Sequence, residues 1–254
     1  MDGDRGDARA IVTLPTLEPA IGVAIGVDGC RCGWLAVSLC DDGVASWGVF
    51  AGFEEVLVRW PEGRILVDMP IGLADDAPRA VEREARQRLG RGRASSVFAV
   101  PSRAAVYAPN YESACERNRE RLGVAISKQA WYLTPKIREL DRLLADDPSR
   151  RQRIVEAHPE LCFAALAADG VAMAQSKKTD AGQAERYAVL TQHLATAHIV
   201  REAILRSTRR ADVAPDDVAD ALVLAVSARM ALTRIPADAD ACAHMVFPTN
   251  RSDP

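Results

Sequence analysis

Three short apolar runs in close succession constrain this chain most. "AIGVAIGVDG" (20–29), "GWLAVSLC" (33–40) and "VASWGVF" (44–50) have strand length, carry β-branched residues and are separated by turn-forming residues. The links between them are too short for a crossover helix, and "DDG" (41–43) is a turn sequence. Strands joined so tightly run antiparallel, so this region reads as a three-strand meander. "FEEVLVRW" (53–60) fits one or two turns of amphipathic helix and is broken by "PEGR". "ILVDMP" (65–70) is a fourth, buried strand. A strand reached through a helix runs parallel to an earlier one.

The texture changes at residue 79. "PRAVEREARQRLGRGR" is a charged helix ending at glycines, and 79–150 reads as a mostly helical insertion in which Ile137, Leu140, Leu143 and Leu144 share one face. "RIVEAHPE" (153–160) is a strand running into a helix, with Pro159 suited to the first helical position. Two long helical stretches are expected at about 180–207 and 215–234, then a frayed "PTNRSDP". The order predicts an α/β fold: a mixed five-stranded sheet, with a three-strand antiparallel meander and two parallel strands, flanked by helices. This is the arrangement of the ribonuclease H fold. Residues 1–19 read as a loose tail, 20–235 as one domain and 236–254 as a C-terminal extension.

The 254 residues suffice for a sizeable core, and 48% hydrophobic with 26% charged residues is ordinary for a globular enzyme. A net charge of -3 carries no global signal for nucleic acid, so any such site is local. The six cysteines show neither C-x-x-C nor zinc-site spacing, and a chain this large needs no disulfide staples, so a reduced, cytoplasmic protein is expected. No 18-residue apolar run predicts a membrane span, and the acidic, polar start predicts no secretory leader.

Acidic residues recur where strands end or helices begin. Asp28 ends the first strand and Asp68 the fourth. "PDDVADALVLA" (215–225) opens the last long helix with Asp216, Asp217 and Asp220, of which Asp217 and Asp220 share one helical face. If the first and fourth strands are neighbours, Asp28 and Asp68 meet, and the helix can bring its pair to them. Such carboxylates raise one another's pKa unless cations compensate them. All-oxygen ligands suit Mg²⁺ or Mn²⁺, and two ions roughly 3.5–4 Å apart serve phosphodiester cleavage. The plainer alternatives are a turn role for Asp28, beside Gly29, and a cap or dipole role for the helix acids, accepted here for Asp216. In "VEAHPELCF", Glu156 is a strand carboxylate that needs a partner, Glu160 fits a helix first turn, and His158 fits a local cap or a base.

Residues 79–103 carry seven arginines against Glu82 and Glu84, a local charge of +5. They suit either a phosphate backbone or a solvated face with Glu82–Arg86 and Glu84–Arg88 pairs. Arg93 and Arg103 belong to this segment. Ser95 and Ser96 lie in a hydroxyl-rich loop that does not match a P-loop, and Ser127 and Lys128 are second-rank candidates for binding phosphate. Lys177 and Lys178 either neutralise phosphate or lie in a surface loop.

"VDGCRCGW", "VDMPIGL", "SSVFAVPSR", "EAHPELCF", "KKTDAGQAERYAVL" and "DDVADALVLA" occur in order. Together they resemble the domain-of-unknown-function family 429, described as predicted ribonuclease H-like nucleases, over roughly residues 21–235. Cys32 stands where that pattern usually has glycine, and Ala99 where proline is common. The resemblance, which extends in fold to Holliday-junction resolvases, implies two metal ions held by Asp28, Asp68, Asp217 and Asp220. By the same resemblance Glu156 holds a metal or orients water, and Glu160 fills a second acidic slot.

The expected function is therefore Mg²⁺- or Mn²⁺-dependent hydrolysis of a nucleic acid or nucleotide, with water as nucleophile and with the arginine segment and Lys178 on phosphates. The helical insertion is either a lid or a homodimer surface. Two rivals remain: an actin-like ATP-using enzyme, disfavoured because no glycine follows Gly182, and a non-catalytic nucleotide- or nucleic-acid-binding protein.

Overall fold

The computed structural model describes residues 16–17, 22–40, 45–238, 241 and 243–249. In chain order the elements are β1 (Thr16–Leu17), β2 (Ala24–Cys30), β3 (Gly33–Leu39), β4 (Ala45–Phe50), α1 (Phe53–Arg59) and β5 (Arg64–Val67). There follow α2 (Ala80–Arg93), α3 (Arg103–Val106), α4 (Tyr111–Leu122), α5 (Lys128–Asp146), β6 (Ile154–Glu156) and α6 (Pro159–Leu166). The chain continues through α7 (Asp180–His193), α8 (Ala197–Ser207), α9 (Pro215–Ala228), β7 (Leu232–Ile235) and β8 (Met245–Pro248).

The main sheet has the order β4-β3-β2-β5-β6. β4, β3 and β2 form the antiparallel meander, while β2-β5 and β5-β6 are parallel. The chain thus has a mixed α/β fold with a five-stranded mixed sheet flanked by helices. Side chains alternate across the sheet. Ala24, Leu35, Val37 and Leu66 join the core beneath α2, α6, α7 and α9. Ile25, Val27, Trp34 and Val67 join the core beneath α1 and α5, where Ile137, Leu140, Leu143 and Leu144 form the expected inward stripe.

Helix α9 meets the sheet at Gly26. A Cβ on that residue would lie 2.1 Å from the Ala221 carbonyl oxygen and 2.3 Å from the Ala225 nitrogen. Only a residue without a side chain lets a helix backbone come so close to the central strand.

Several elements differ from the sequence expectation. The stretch 180–207 is two helices, interrupted at Leu194, which is extended, and Thr196, which precedes α8. The stretch 215–234 is helical only to Ala228, and Leu232–Ile235 is a strand. That strand pairs with Thr16–Leu17 and with Met245–Pro248 in a second, three-stranded antiparallel sheet. Parts of the expected tail and C-terminal extension are therefore paired strands. The rest of 1–19, the 41–43 turn and residues 250–254 lie outside the described residues. Among the described residues no helix is long and apolar enough to cross a membrane.

Candidate functional site

The site lies at the carboxyl ends of the two central parallel strands. Asp28 is on β2 and projects to the same side as Gly26, towards α9. Asp68 follows β5, and its N–H donates to the Val27 carbonyl at 3.0 Å, which fixes it beside Asp28. Because α9 rests on Gly26, Asp220, next to Ala221, is delivered to the same place, with a relative exposure of 1%. The three aspartates line a cleft of about 250 Å³ with Glu160, Lys177 and His158. Ser95, Ser96 and Gln129 add polar groups to its wall, and Met69, Phe98 and Leu133 add apolar ones.

The electrostatics are those of a crowded, buried acidic cluster. Burial, then the charges of Asp220 and Asp68, push the Asp28 carboxyl well above the usual range. Burial also raises Asp68, with Glu160 adding to the rise and His158 and Lys177 opposing it. Asp220 is pushed up to about 7 by burial, against the pull of Lys177. The Lys177 ammonium lies 2.5 Å from Asp220 Oδ2. Burial works against its charge, but Asp220, Asp28 and Asp68 outweigh that and keep it protonated.

Two carboxylate oxygens in the cluster remain buried without a hydrogen-bond partner: Asp220 Oδ1 and Glu160 Oε2. The other Glu160 oxygen pairs with Arg186, which is wholly buried. Orphaned carboxylate oxygens on residues that line a cleft are a chemical fit to a hard divalent cation. As the side chains stand, however, no three His, Cys, Asp or Glu among the described residues form a ready-made metal cage. Lys177 supplies the compensating charge instead.

The other predicted residues are distributed unevenly. Ser95, Ser96, His158, Glu160 and Lys177 join Asp28, Asp68 and Asp220 in the cleft. His158 caps α6, its Nδ1 accepting the Glu160 N–H at 3.2 Å, and its Nε2 lies 3.4 Å from the Ser96 carbonyl oxygen. Asp217 does not line the cleft. Its Oδ2 accepts the Ala214 N–H at 2.9 Å, so the capping role expected of Asp216 falls to Asp217.

Glu156 also lies outside the cleft. It is the in-register partner of Val67, and alternation puts it on the sheet face opposite Asp28. There it accepts from the buried Arg79 and, at 2.7 Å, from the Ile71 N–H, while Arg79 also binds Glu82. Burial pushes Glu156 up to about 7 against the pull of Arg79.

Arg93 donates to the Met173 carbonyl at 2.6 Å and so ties α2 to the segment before Lys177. Arg103 forms a fork on Asp141, at 2.6 and 3.0 Å, within the helical insertion. Ser127 caps α5 through the Ala130 N–H at 3.0 Å, and Lys128 is exposed in the first turn of that helix, outside the cleft lining. Lys178 is exposed and lines a neighbouring cavity.

Gln129 and Arg186 were not legible as site residues. Gln129 adjoins Lys128 at a helix start, both are exposed, and nothing local marks which of the two lines the cleft. Arg186 sits mid-helix in "QAERYAVL" like a surface arginine, and only its pairing with Glu160, 26 residues away, reveals its burial.

Neither a curated protein nor a solved structure matches the chain. A family model described as "Protein of unknown function (DUF429)" matches residues 26–243, a span that runs from Gly26 through every residue of the cleft. The chain belongs to that family.

Proposed function

We propose that the protein is a ribonuclease H-like, Mg²⁺- or Mn²⁺-dependent hydrolase of phosphodiester bonds, acting at the cleft of Asp28, Asp68 and Asp220. One observation carries this reading. Two buried aspartates, Asp28 and Asp220, and the half-buried Asp68, from two strand ends and a helix, converge on a cleft in which Asp220 Oδ1 has no partner. The strand order, a meander continued by two parallel strands, is the one expected of a ribonuclease H-like sheet.

Divalent cations bound among these oxygens would let the carboxylates ionise together and would lower the pKa of a bound water. Asp28, Asp68 and Asp220 would hold them, and Glu160 Oε2 stands ready as a further oxygen. Lys177, released from Asp220, would neutralise a phosphate oxygen. Ser95, Ser96 and Gln129 would orient the substrate by hydrogen bonds, and Phe98, Met69 and Leu133 would limit water access. His158 would hold the Ser96 segment in place.

The test is incubation with single-stranded, duplex and branched DNA, RNA and hybrid, in Mg²⁺, Mn²⁺ or EDTA, beside Asp28→Asn and Asp68→Asn. Metal-dependent cleavage lost in both variants is the expected result. Cleavage that persists in EDTA or in both variants overturns the proposal.

A second reading, nucleic-acid or nucleotide binding without hydrolysis, rests on the Lys177–Asp220 pair, which compensates part of the acidic cluster without a metal. Binding without cleavage, and with no metal uptake by calorimetry, would favour it.

A further inference from the structure

A second and larger cavity, about 600 Å³, lies beside the cleft and shares Lys177 with it. Its wall carries four cationic side chains, Lys177, Lys178, Arg201 and Arg210, against two carboxylates, Asp180 and Asp216. Among the described residues Lys178, Arg201 and Arg210 form no ion pair. The Arg201 guanidinium carbon lies over the Tyr187 ring, 5.2 Å from its centre, and its Nε is buried without a hydrogen-bond partner. The cation–π contact holds the guanidinium against that ring, and a planar fork is the geometry that grips phosphate.

The amino ends of α7 and α9, each a 14-residue helix, open on the same cavity through Thr179 and Asp180 and through Ala214 and Pro215. Helix amino ends add partial positive charge, and here Asp180 and Asp216 take up part of it. What remains is a recess with excess positive charge in a chain of net charge -3. It adjoins an acidic cleft, with one lysine on both walls. A single small anion would use one cavity, whereas a polyanion uses both.

We propose that this recess holds a backbone phosphate of a nucleic-acid strand, adjacent to the phosphodiester that occupies the cleft. Lys177 stands between the two positions, and Lys178, Arg201 and Arg210 grip the flanking phosphate. This inference rests on the nuclease reading for what occupies the cleft, and it adds the strand's path and the residues that hold it.

The experiment is anisotropy of a labelled single-stranded oligonucleotide with the full chain in EDTA, across a salt series. The variant is Lys178→Glu with Arg210→Glu, both exposed, so the fold is preserved. The control is Arg59→Glu with Arg119→Glu, two exposed positions with the same change in net charge that line neither cavity. The recess variant is expected to bind at least tenfold more weakly than the control. Its log-log salt slope should be shallower by about 0.7 for each phosphate that the variant no longer neutralises.

Equal affinity and slope in variant and control overturn the proposal. So does a wild-type chain that binds inorganic phosphate or a free nucleotide but no oligonucleotide. A protein that holds the strand through the recess yet never cleaves it refutes the hydrolase reading alone. A protein that cleaves, but whose binding ignores the recess variant, refutes the recess alone.

Discussion

Lys177 and Asp220, 43 residues apart in sequence, form an ion pair at the base of the cleft, and the second Asp220 oxygen is left buried and unbonded. A buried carboxylate with one oxygen neutralised and the other orphaned is only half compensated, and Asp28 and Asp68 add like charge beside it. The cluster is a local source of instability at neutral pH, which binding of a cation would relieve.

Asp220 is raised from 3.8 to about 7 in the fold, so between those values the folded chain keeps a proton that the unfolded chain has released. Stability therefore falls as pH rises through that window. Asp28, raised in the same way, contributes in the same direction. Asp28→Asn is expected to stabilise the protein at pH 8, by on the order of 1 kcal/mol, and to flatten the decline. Urea midpoints at pH 5 and pH 8 check this; a variant less stable than wild type at pH 8 would contradict it.

Lys177→Met removes the compensating charge. It should destabilise the protein by about 1–3 kcal/mol at pH 8, less than a wholly buried pair would, since the Lys177 side chain is 36% exposed. At pH 5 Asp220 is protonated and the loss should shrink. Thermal unfolding at both pH values measures the difference, and an equal loss at both would show that packing, not charge, is responsible.

Gly26→Ala should destabilise by about 1–3 kcal/mol, because both close atoms, on Ala221 and Ala225, belong to the α9 backbone and the helix must retreat. The retreat carries Asp220 away from Asp28, so any metal affinity should fall with stability. Calorimetry with Mn²⁺ alongside a denaturation curve reads both. A variant with unchanged midpoint would mean that the helix is not held against this strand.

Glu156→Gln separates a structural role from a ligand role. It leaves the buried Arg79 with one anionic partner in place of two, at a cost of about 3 kcal/mol. Its metal affinity and strand binding, measured on the folded fraction, should match wild type. A loss of metal binding without loss of stability would return Glu156 to the ligand set.

The sequence by itself determined the main sheet. Valine-rich runs with tight turns specify the meander, and a helix before "ILVDMP" specifies a parallel strand, because strand length, side-chain alternation and connection length are local properties. Whether Asp28 and Asp68 meet stayed conditional on the first and fourth strands being neighbours, and the β2-β5 pairing of the sheet meets that condition. The second sheet was hidden because Leu232–Ile235 continues an apolar helical run and Met245–Pro248 ends in proline. The break at Leu194–Thr196 carries neither glycine nor proline.

Only tertiary structure decided which acids face the cleft. Asp217 and Asp220 look equivalent at helical spacing, yet one caps Ala214 and the other is buried against Lys177. Glu156 and Glu160 look similar too, yet Arg79 claims one across the sheet while Arg186 holds the other at the cleft. Each of these ion pairs joins residues 26 to 77 positions apart. Local pattern cannot specify them, because the energy of a buried charge depends on what the packed fold brings beside it.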